Sequence, residues 1–289
     1  MVTRNDYASP VRPTWCPGCG NFGIWNALKS ALVEAGLAPH EVLIVSGIGC
    51  GSKLPDYTRA NGFNTIHGRP VIVASGAQLG NHRLKVICTH GDGDAFGLGL
   101  GHFINAARRN MALVDIIQDN QIYGLTKGQY SPTSDPGMRS PTSPRGAIEN
   151  RVNPVLLALT AGATFVARGF ARDLEHLTWV LVQALQHRGY AFVDVLQPCV
   201  TFNKRNTYEW YGERAYKLEE AGHDETDLQS AMARAQEWGE RIPMGIFYRR
   251  EDVPAYHEYL DVLQAGPLCE QPLGQWTAEQ RMALMEEYI

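Results

Sequence analysis

The chain has 289 residues, 44% of them hydrophobic, with 26 Lys and Arg against 30 Asp and Glu for a formal net charge of −4. That is enough to bury a full core, either in one large α/β domain or in a domain with an extension. The interspersed charges exclude a basic nucleic-acid stripe, no apolar run reaches membrane-spanning length, and residues 1–13 lack a signal-peptide core, so a cytoplasmic location is expected.

Six cysteines in such a chain point to metal or redox chemistry before disulfides. Two of them, Cys16 and Cys19, open the chain in Thr14-Trp15-Cys16-Pro17-Gly18-Cys19-Gly20. Their spacing suits a thioredoxin-like pair, half a zinc site or half an iron–sulfur site. Phe22, Trp25, Leu28, Leu32 and Val33 then predict an amphipathic helix ending near Gly36. Glu41 to Ser46 reads as a strand that runs into the glycine-rich loop Gly47 to Lys53, which carries Cys50. After His67-Gly68-Arg69, Pro70 starts a helix over Val71 to Leu79.

Lys85 to Thr89 is short and apolar, as a buried parallel strand should be. Gly91-Asp92-Gly93-Asp94 follows, then a helix over Ala95 to Arg109, a strand over Ala112 to Ile117, and the turn Gln118-Asp119-Asn120. This βαβ unit puts polar residues at the carboxyl ends of both strands, the edge where open α/β sheets bind ligands. Leu125 to Arg151 holds four prolines without periodicity and is expected to be a functional loop over the site that also meets a partner. A helix over Asn153 to Ala161, a strand over Ala163 to Val166, a helix capped by Asp173, and a strand over Tyr190 to Leu196 come next. That last strand leads into Gln197-Pro198-Cys199-Val200. Beyond Lys204 the texture changes, so 1–204 is expected to be an α/β domain and 205–289 a less compact extension. The extension, with a helix over Asp227 to Trp238, is expected to pack on the domain as a lid or to reach a partner subunit as an arm, the arm being preferred.

The chemistry at Gly91 to Ile122 is that of a diphosphate held by a divalent cation. Asp92 and Asn120 offer hard oxygens, the Ile122 carbonyl offers a third, and magnesium takes such oxygens alongside phosphate oxygens. Gly91 and Gly93 admit the phosphates to the backbone, and the following helix aims free N–H groups at them. Cys16, Cys19, Cys50 and Cys199 all fall in loops, and four thiolates suit tetrahedral zinc and a four-iron–four-sulfur cluster equally. Cys88 lies mid-strand and reads as an apolar core side chain. Cys269 carries no role.

Gly-Asp-Gly followed some twenty-five residues later by Asp119-Asn120 resembles the thiamine diphosphate fingerprint. The longer strings Gly-Asp-Gly-Asp-Ala-Phe and Asp-Asn-Gln-Ile-Tyr-Gly-Leu-Thr-Lys-Gly-Gln resemble the β subunits of 2-oxoacid:ferredoxin oxidoreductases, and the likeness runs from Trp15 to about Lys204. Asp119 stands where many thiamine enzymes have Asn, a variation common in this branch. The resemblance implies a mostly parallel sheet with helices on both faces, binding thiamine diphosphate and Mg2+ (Asp92, Asn120, Ile122). It implies one [4Fe-4S] cluster on Cys16, Cys19, Cys50 and Cys199. Cofactor contacts are expected from Ile48, Gly49, Cys50, Gly51, His67, Gly91, Gly93, Asp94, Gly124 and Leu125. The catalytic Glu is expected on an α subunit, in an (αβ)2 assembly, so the chain alone is expected to be inactive. Ferredoxin, coenzyme A and a 2-oxoacid complete the implied reaction. Lys53 is expected to meet the distal carboxylate of 2-oxoglutarate as a point charge. The other readings are a pyruvate or broad-range 2-oxoacid enzyme and a non-oxidative thiamine-dependent decarboxylase subunit.

Overall fold

The computed structural model describes residues 2–272, 274 and 276–286. Its centre is an eight-stranded sheet, and the strands in chain order are β1 (Val42–Ser46), β2 (Asn61–Asn64), β3 (Lys85–Gly91), β4 (Val114–Asp119), β7 (Phe165–Phe170), β8 (Ala191–Leu196), β9 (Ala215–Lys217) and β10 (Ile242–Arg249). A separate two-stranded hairpin joins β5 (Ile122–Tyr123) to β6 (Gln129–Tyr130). The spatial order is β2-β1-β3-β4-β8-β7-β10-β9. The first six strands of that order are parallel; β10 runs antiparallel to β7, and β9 pairs parallel to β10 at the far edge. This is the mostly parallel α/β architecture that the sequence implies.

Both faces are covered, as an all-buried parallel sheet requires. On one face α1 (Asn21–Glu34) packs with α5 (Leu174–Gln186) over Ile44, Ile87, Ile116 and Val193. On the other lie α2 (Pro70–Gly80), α3 (Leu100–Arg108), α4 (Pro154–Thr160) and α7 (Leu228–Ala235), over Val45, Val86, Ile117 and Phe192. The starts of these helices follow local chemistry. Pro70 and Pro154 sit in the first turn, where no N–H is needed, and Asp173 accepts from the His176 N–H at 3.1 Å. The remaining helices are α6 (Tyr208–Gly212), α8 (Asp261–Gln264) and α9 (Ala278–Glu286).

Four expectations change. The segment after Asp92 is not one α-helix from Ala95: a wide turn of π type spans Gly93–Leu98 before α3 begins at Leu100. The strand expected over Ala163 to Val166 is β7, which runs from Phe165 to Phe170 with Arg168 buried inside it and paired with Asp194 at 2.8 Å. The edge strand β2 is exposed at every residue, so no burial pattern announces it. The tail is not loose up to Arg249: β10 pairs with β7 inside the sheet and α7 packs against the main core. Leu218, Ala231, Ala235, Ile242, Met244 and Phe247 of the tail are buried against the domain, while Tyr259, Val262, Trp276 and Met282 stay exposed. Residues 273, 275 and 287–289 of the expected extension lie outside the described residues.

Among the described residues, no helix is long and apolar enough to cross a membrane.

Candidate active site

Adjacent strands β1, β3, β4 and β8 end side by side, and each delivers one of the loops singled out in the sequence. The loops after β1, β3 and β4, with His67 after β2 and the β5–β6 hairpin, enclose a cavity of about 180 Å3. Ile48, Gly49, Cys50, Gly51, His67, Gly91, Gly93, Asp94, Gly124 and Leu125 all line it, as do Asp92, Asn120 and Ile122. One small space thus collects the expected cofactor and magnesium residues. Tyr123 joins them; its hydroxyl donates to the Gly93 carbonyl at 3.1 Å. A Cβ at Gly93 would overlap the Tyr123 ring, so glycine there is set by this close approach.

Asp92 is buried, and burial pushes its carboxyl up to about 6 against the hydrogen bonds that hold it down. The side-chain bonds among them come from the long loop, and the backbone bonds come from Asp92 and Gly93 themselves. Ser131 and Thr133 both place their hydroxyls on Asp92 Oδ2, and Thr133 also reaches Asp119 Oδ1 at 2.8 Å. Burial and the neighbouring Asp92 hold Asp119 well above the usual carboxylate range. A buried carboxyl group that lines the cavity beside Asn120, with a second carboxyl behind it on the same hydroxyl, fits a divalent cation, which would remove the cost of ionising Asp92. Asn120 is preset for the same role: its Oδ1 takes the Ile122 N–H at 3.1 Å and keeps a second lone pair.

Asp94 lines the cavity as well. Its carboxylate is occupied by the protein, accepting from Ile48 N–H and Gly68 N–H at 2.9 Å each and pairing with His67 Nδ1 at 2.6 Å and His90 Nδ1 at 3.0 Å. Burial acts to raise its pKa, but these partners win and hold it at about 2. Asp94 therefore shapes the cavity wall by tying the Cys50 loop to the His67 turn. His67 lines the cavity through this tie. Behind it, His90 is pinned by Asp115 at 2.8 Å, and Asp115 also accepts from the Tyr190 hydroxyl at 2.6 Å. Burial opposes the charge on His90, yet the two carboxylates raise it to about 10.

The four loop cysteines meet at the same edge. The Trp15 indole donates to the Cys50 carbonyl at 2.6 Å, and the Gly20 N–H donates to the Pro198 carbonyl at 3.2 Å. These bonds stitch the Cys16–Cys19 turn to the Cys50 and Cys199 loops. Trp15 is itself held edge-on by Tyr57 and Phe22, with ring centroids 4.8 and 5.3 Å away. A methyl at Gly124 would stand 3.6 Å from Cys50 Sγ and 3.9 Å from Cys199 Sγ. Burial and the other three thiols push Cys19 up to about 12, so Cys19 needs a metal to become a thiolate. Among the described residues, no three His, Cys, Asp or Glu side chains converge as ligands of one ion. Cys88 is buried in β3, and Cys269 is exposed. Lys53 stands in the turn after Cys50 and outside the cavity lining, donating to Thr14 Oγ1 at 3.0 Å.

Ser131, Thr133, Tyr123 and Gln197 are the site residues that sequence reasoning missed. The Gln197 amide donates to Cys19 Sγ at 3.3 Å while its oxygen accepts from Asn120 at 2.7 Å. Its place directly after β8 and before Pro198-Cys199 was the available signal.

This constellation on a parallel sheet defines a thiamine-diphosphate-binding domain, and residues 47–195 match the family model of the thiamine pyrophosphate enzyme, C-terminal TPP binding domain. Residues 199–265 match the family model for the C-terminal part of the pyruvate ferredoxin oxidoreductase β chain. A 2-oxoacid:ferredoxin oxidoreductase subunit β from Sulfolobus is 46% identical over 91% of this chain and 92% of its own length. The 2-oxoglutarate oxidoreductase subunit KorB of Mycobacterium tuberculosis is 46% identical over 68% of this chain and 53% of its own. The solved 2-oxoglutarate:ferredoxin oxidoreductase of Magnetococcus marinus, with 2-oxoglutarate, coenzyme A and succinyl-CoA bound, superposes with a TM-score of 0.91. Its identity is 38%, covering 98% of this chain and 96% of that one. The chain belongs to the β subunits of 2-oxoacid:ferredoxin oxidoreductases.

Proposed function

We propose that this β subunit, joined to an α subunit in an (αβ)2 assembly in the cytoplasm, holds the thiamine diphosphate, Mg2+ and a single [4Fe-4S] cluster of a 2-oxoglutarate:ferredoxin oxidoreductase. The observation that carries the reading is Gly124, which lines the cofactor cavity and also lies beside the Cys50 and Cys199 sulfurs. A cofactor in that cavity and a cluster on those thiols are then near neighbours, as electron transfer requires.

Asp92, Asn120 and the Ile122 carbonyl would hold Mg2+, with the diphosphate against Gly91 and Gly93. Cys16, Cys19, Cys50 and Cys199 would hold the cluster. Four cysteines carried by loops at one end of the sheet are a ligand set that such a cluster takes. Thiamine diphosphate supplies the electron sink that lets a 2-oxoacid lose carbon dioxide. The net change is 2-oxoacid plus coenzyme A to acyl-CoA, carbon dioxide and a proton, with a pair of electrons passing singly to ferredoxin. The chain's own residues hold the diphosphate end, orient His67 through Asp94, and cover the metal side with Ser131 and Thr133. The catalytic Glu is assigned to the α subunit.

The choice of 2-oxoglutarate (with succinyl-CoA as product) over pyruvate or a broad range rests on Lys53, whose flexible stem allows it to leave Thr14 for a distal carboxylate. The 2-oxoglutarate names of the Mycobacterium tuberculosis and Magnetococcus marinus relatives support it.

The test is iron and acid-labile sulfide on the anaerobically purified αβ complex, with EPR after reduction. The expected result is about four irons per β chain and a reduced-cluster signal. Zinc without labile sulfide would overturn the cluster and favour the non-oxidative decarboxylase.

A further inference from the structure

We propose that Gln197 is a positioning residue that couples the magnesium–diphosphate site to the iron–sulfur cluster, through a chain of hydrogen bonds ending on the Cys19 sulfur. The inference rests on the cofactor assignment above and adds a regulatory link between the two cofactors.

The chain has a fixed direction, set at an end that cannot be reversed. The Ile122 backbone N–H donates to Asn120 Oδ1 at 3.1 Å, so the other side of that amide is its NH2 group. That NH2 donates to Gln197 Oε1 at 2.7 Å. Gln197 must then present its own NH2 to the far side, where one hydrogen goes to Cys19 Sγ at 3.3 Å and the other to the Pro198 carbonyl at 3.2 Å. Flipping Gln197 would set NH2 against NH2 at Asn120 and oxygen against oxygen at Pro198. Gln197 is 1% exposed, so water cannot replace a lost partner.

The backbone is built to admit this side chain. A Cβ at Gly20 would stand 2.8 Å from Gln197 Cγ and 3.2 Å from Pro198 Cδ, so only glycine lets Gln197 lie under the Cys16–Cys19 turn.

A cation on the free lone pair of Asn120 Oδ1 withdraws electron density from that amide and makes its N–H a stronger donor to Gln197. Gln197 in turn becomes a stronger donor to Cys19, since linked hydrogen bonds polarise one another in a low-dielectric interior. Donation to a cluster thiolate disperses negative charge and favours the reduced cluster. Filling the magnesium–diphosphate site therefore raises the cluster potential, and by linkage reduction of the cluster tightens cofactor binding. The electron acceptor is tuned upward once the electron donor's cofactor is in place.

The experiment is an EPR-monitored redox titration of the αβ complex, with Mg2+ and thiamine diphosphate present or stripped by EDTA and gel filtration. The loaded wild type should show the higher midpoint potential. Gln197→Met and Gln197→Leu each remove both the acceptor for Asn120 and the donor to Cys19 without adding a charge. Both should lower the loaded midpoint and abolish the difference between loaded and stripped protein, with iron content unchanged. A wild-type midpoint insensitive to loading, or a variant that keeps the wild-type difference, overturns the coupling. If both variants lose the cluster, hyperfine spectroscopy of reduced wild type labelled with 15N-glutamine decides: a coupling to a glutamine amide nitrogen supports the contact, and its absence overturns it. A wild type without labile iron sinks the cluster assignment and this coupling together, whereas an iron-loaded protein with an unshifted potential sinks the coupling alone.

Discussion

Metal-stripped protein carrying Asp92→Asn should melt at a higher temperature than the stripped wild type near pH 7.5. The buried Asp92 carboxyl ionises at about 6 in the fold against an ordinary 3.8. An acid whose folded value is raised keeps a proton that the unfolded chain releases, so folding loses stability as pH rises between the two values and bears the whole cost above the higher one. A gap of roughly 2 pH units at 1.36 kcal/mol each makes that cost about 3 kcal/mol. Asn cannot ionise and relieves the repulsion on Asp119 as well. For a domain of this size about 3 kcal/mol corresponds to roughly 6 °C in Tm. Near pH 5, between the two values, the gain should shrink to about half, and it should vanish in strong acid. Scanning calorimetry at the two pH values in EDTA reads both. The same variant should lose the stabilisation that Mg2+ plus thiamine diphosphate gives the wild type, because the anionic ligand is gone. Equal melting temperatures near pH 7.5, or a gain independent of pH, would refute the argument that burial of an uncompensated carboxylate strains this site.

Lys53→Met should lower the 2-oxoglutarate-to-pyruvate ratio of kcat/KM in the αβ complex by up to about fivefold, the ~1 kcal/mol upper value of one exposed charge pair; an unchanged ratio removes Lys53 from substrate selection. His90 supplies a test of opposite sign. Its folded value of about 10 lies above the ordinary 6.5, so the buried cation stabilises fully below pH 6.5 and that contribution is lost as pH rises through about 10. The denaturation midpoint of the wild type should therefore fall across that window while that of His90→Gln stays nearly level, and parallel curves for the two proteins would contradict the pairing with Asp94 and Asp115.

The elements that announce themselves in this chain do so through local chemistry. Strands β3, β4 and β8 read as short apolar runs because both of their faces are buried, and α5 reads from its Asp173 cap and apolar stripe. Gly91 to Asp94 and Asn120 could be placed at adjacent strand ends because a βαβ unit has one handedness and one binding edge. The cysteines could be singled out as a quartet, since thiols beside Gly and Pro in loops are poor packing residues. Their roles came with the family resemblance.

Other features depend on neighbours distant in the chain. β2 carries no burial pattern because it is an exposed edge, and β10 becomes core only by pairing with β7. Asp94 reads from its motif as a cofactor contact, but that its carboxylate also takes Ile48, His67 and Gly68 from two distant segments is invisible there, while His90 comes from only four residues earlier. Ser131 and Thr133 lie in an aperiodic loop, and nothing within that loop says its hydroxyls reach Asp92 some forty residues earlier. Gln197 is the extreme case, with its amide between Asn120 and Cys19. Local pattern follows from which faces a segment must bury, so it can be read residue by residue. A buried polar group is satisfied only by partners that the whole fold brings to it, and those pairings become visible when the sheet is assembled.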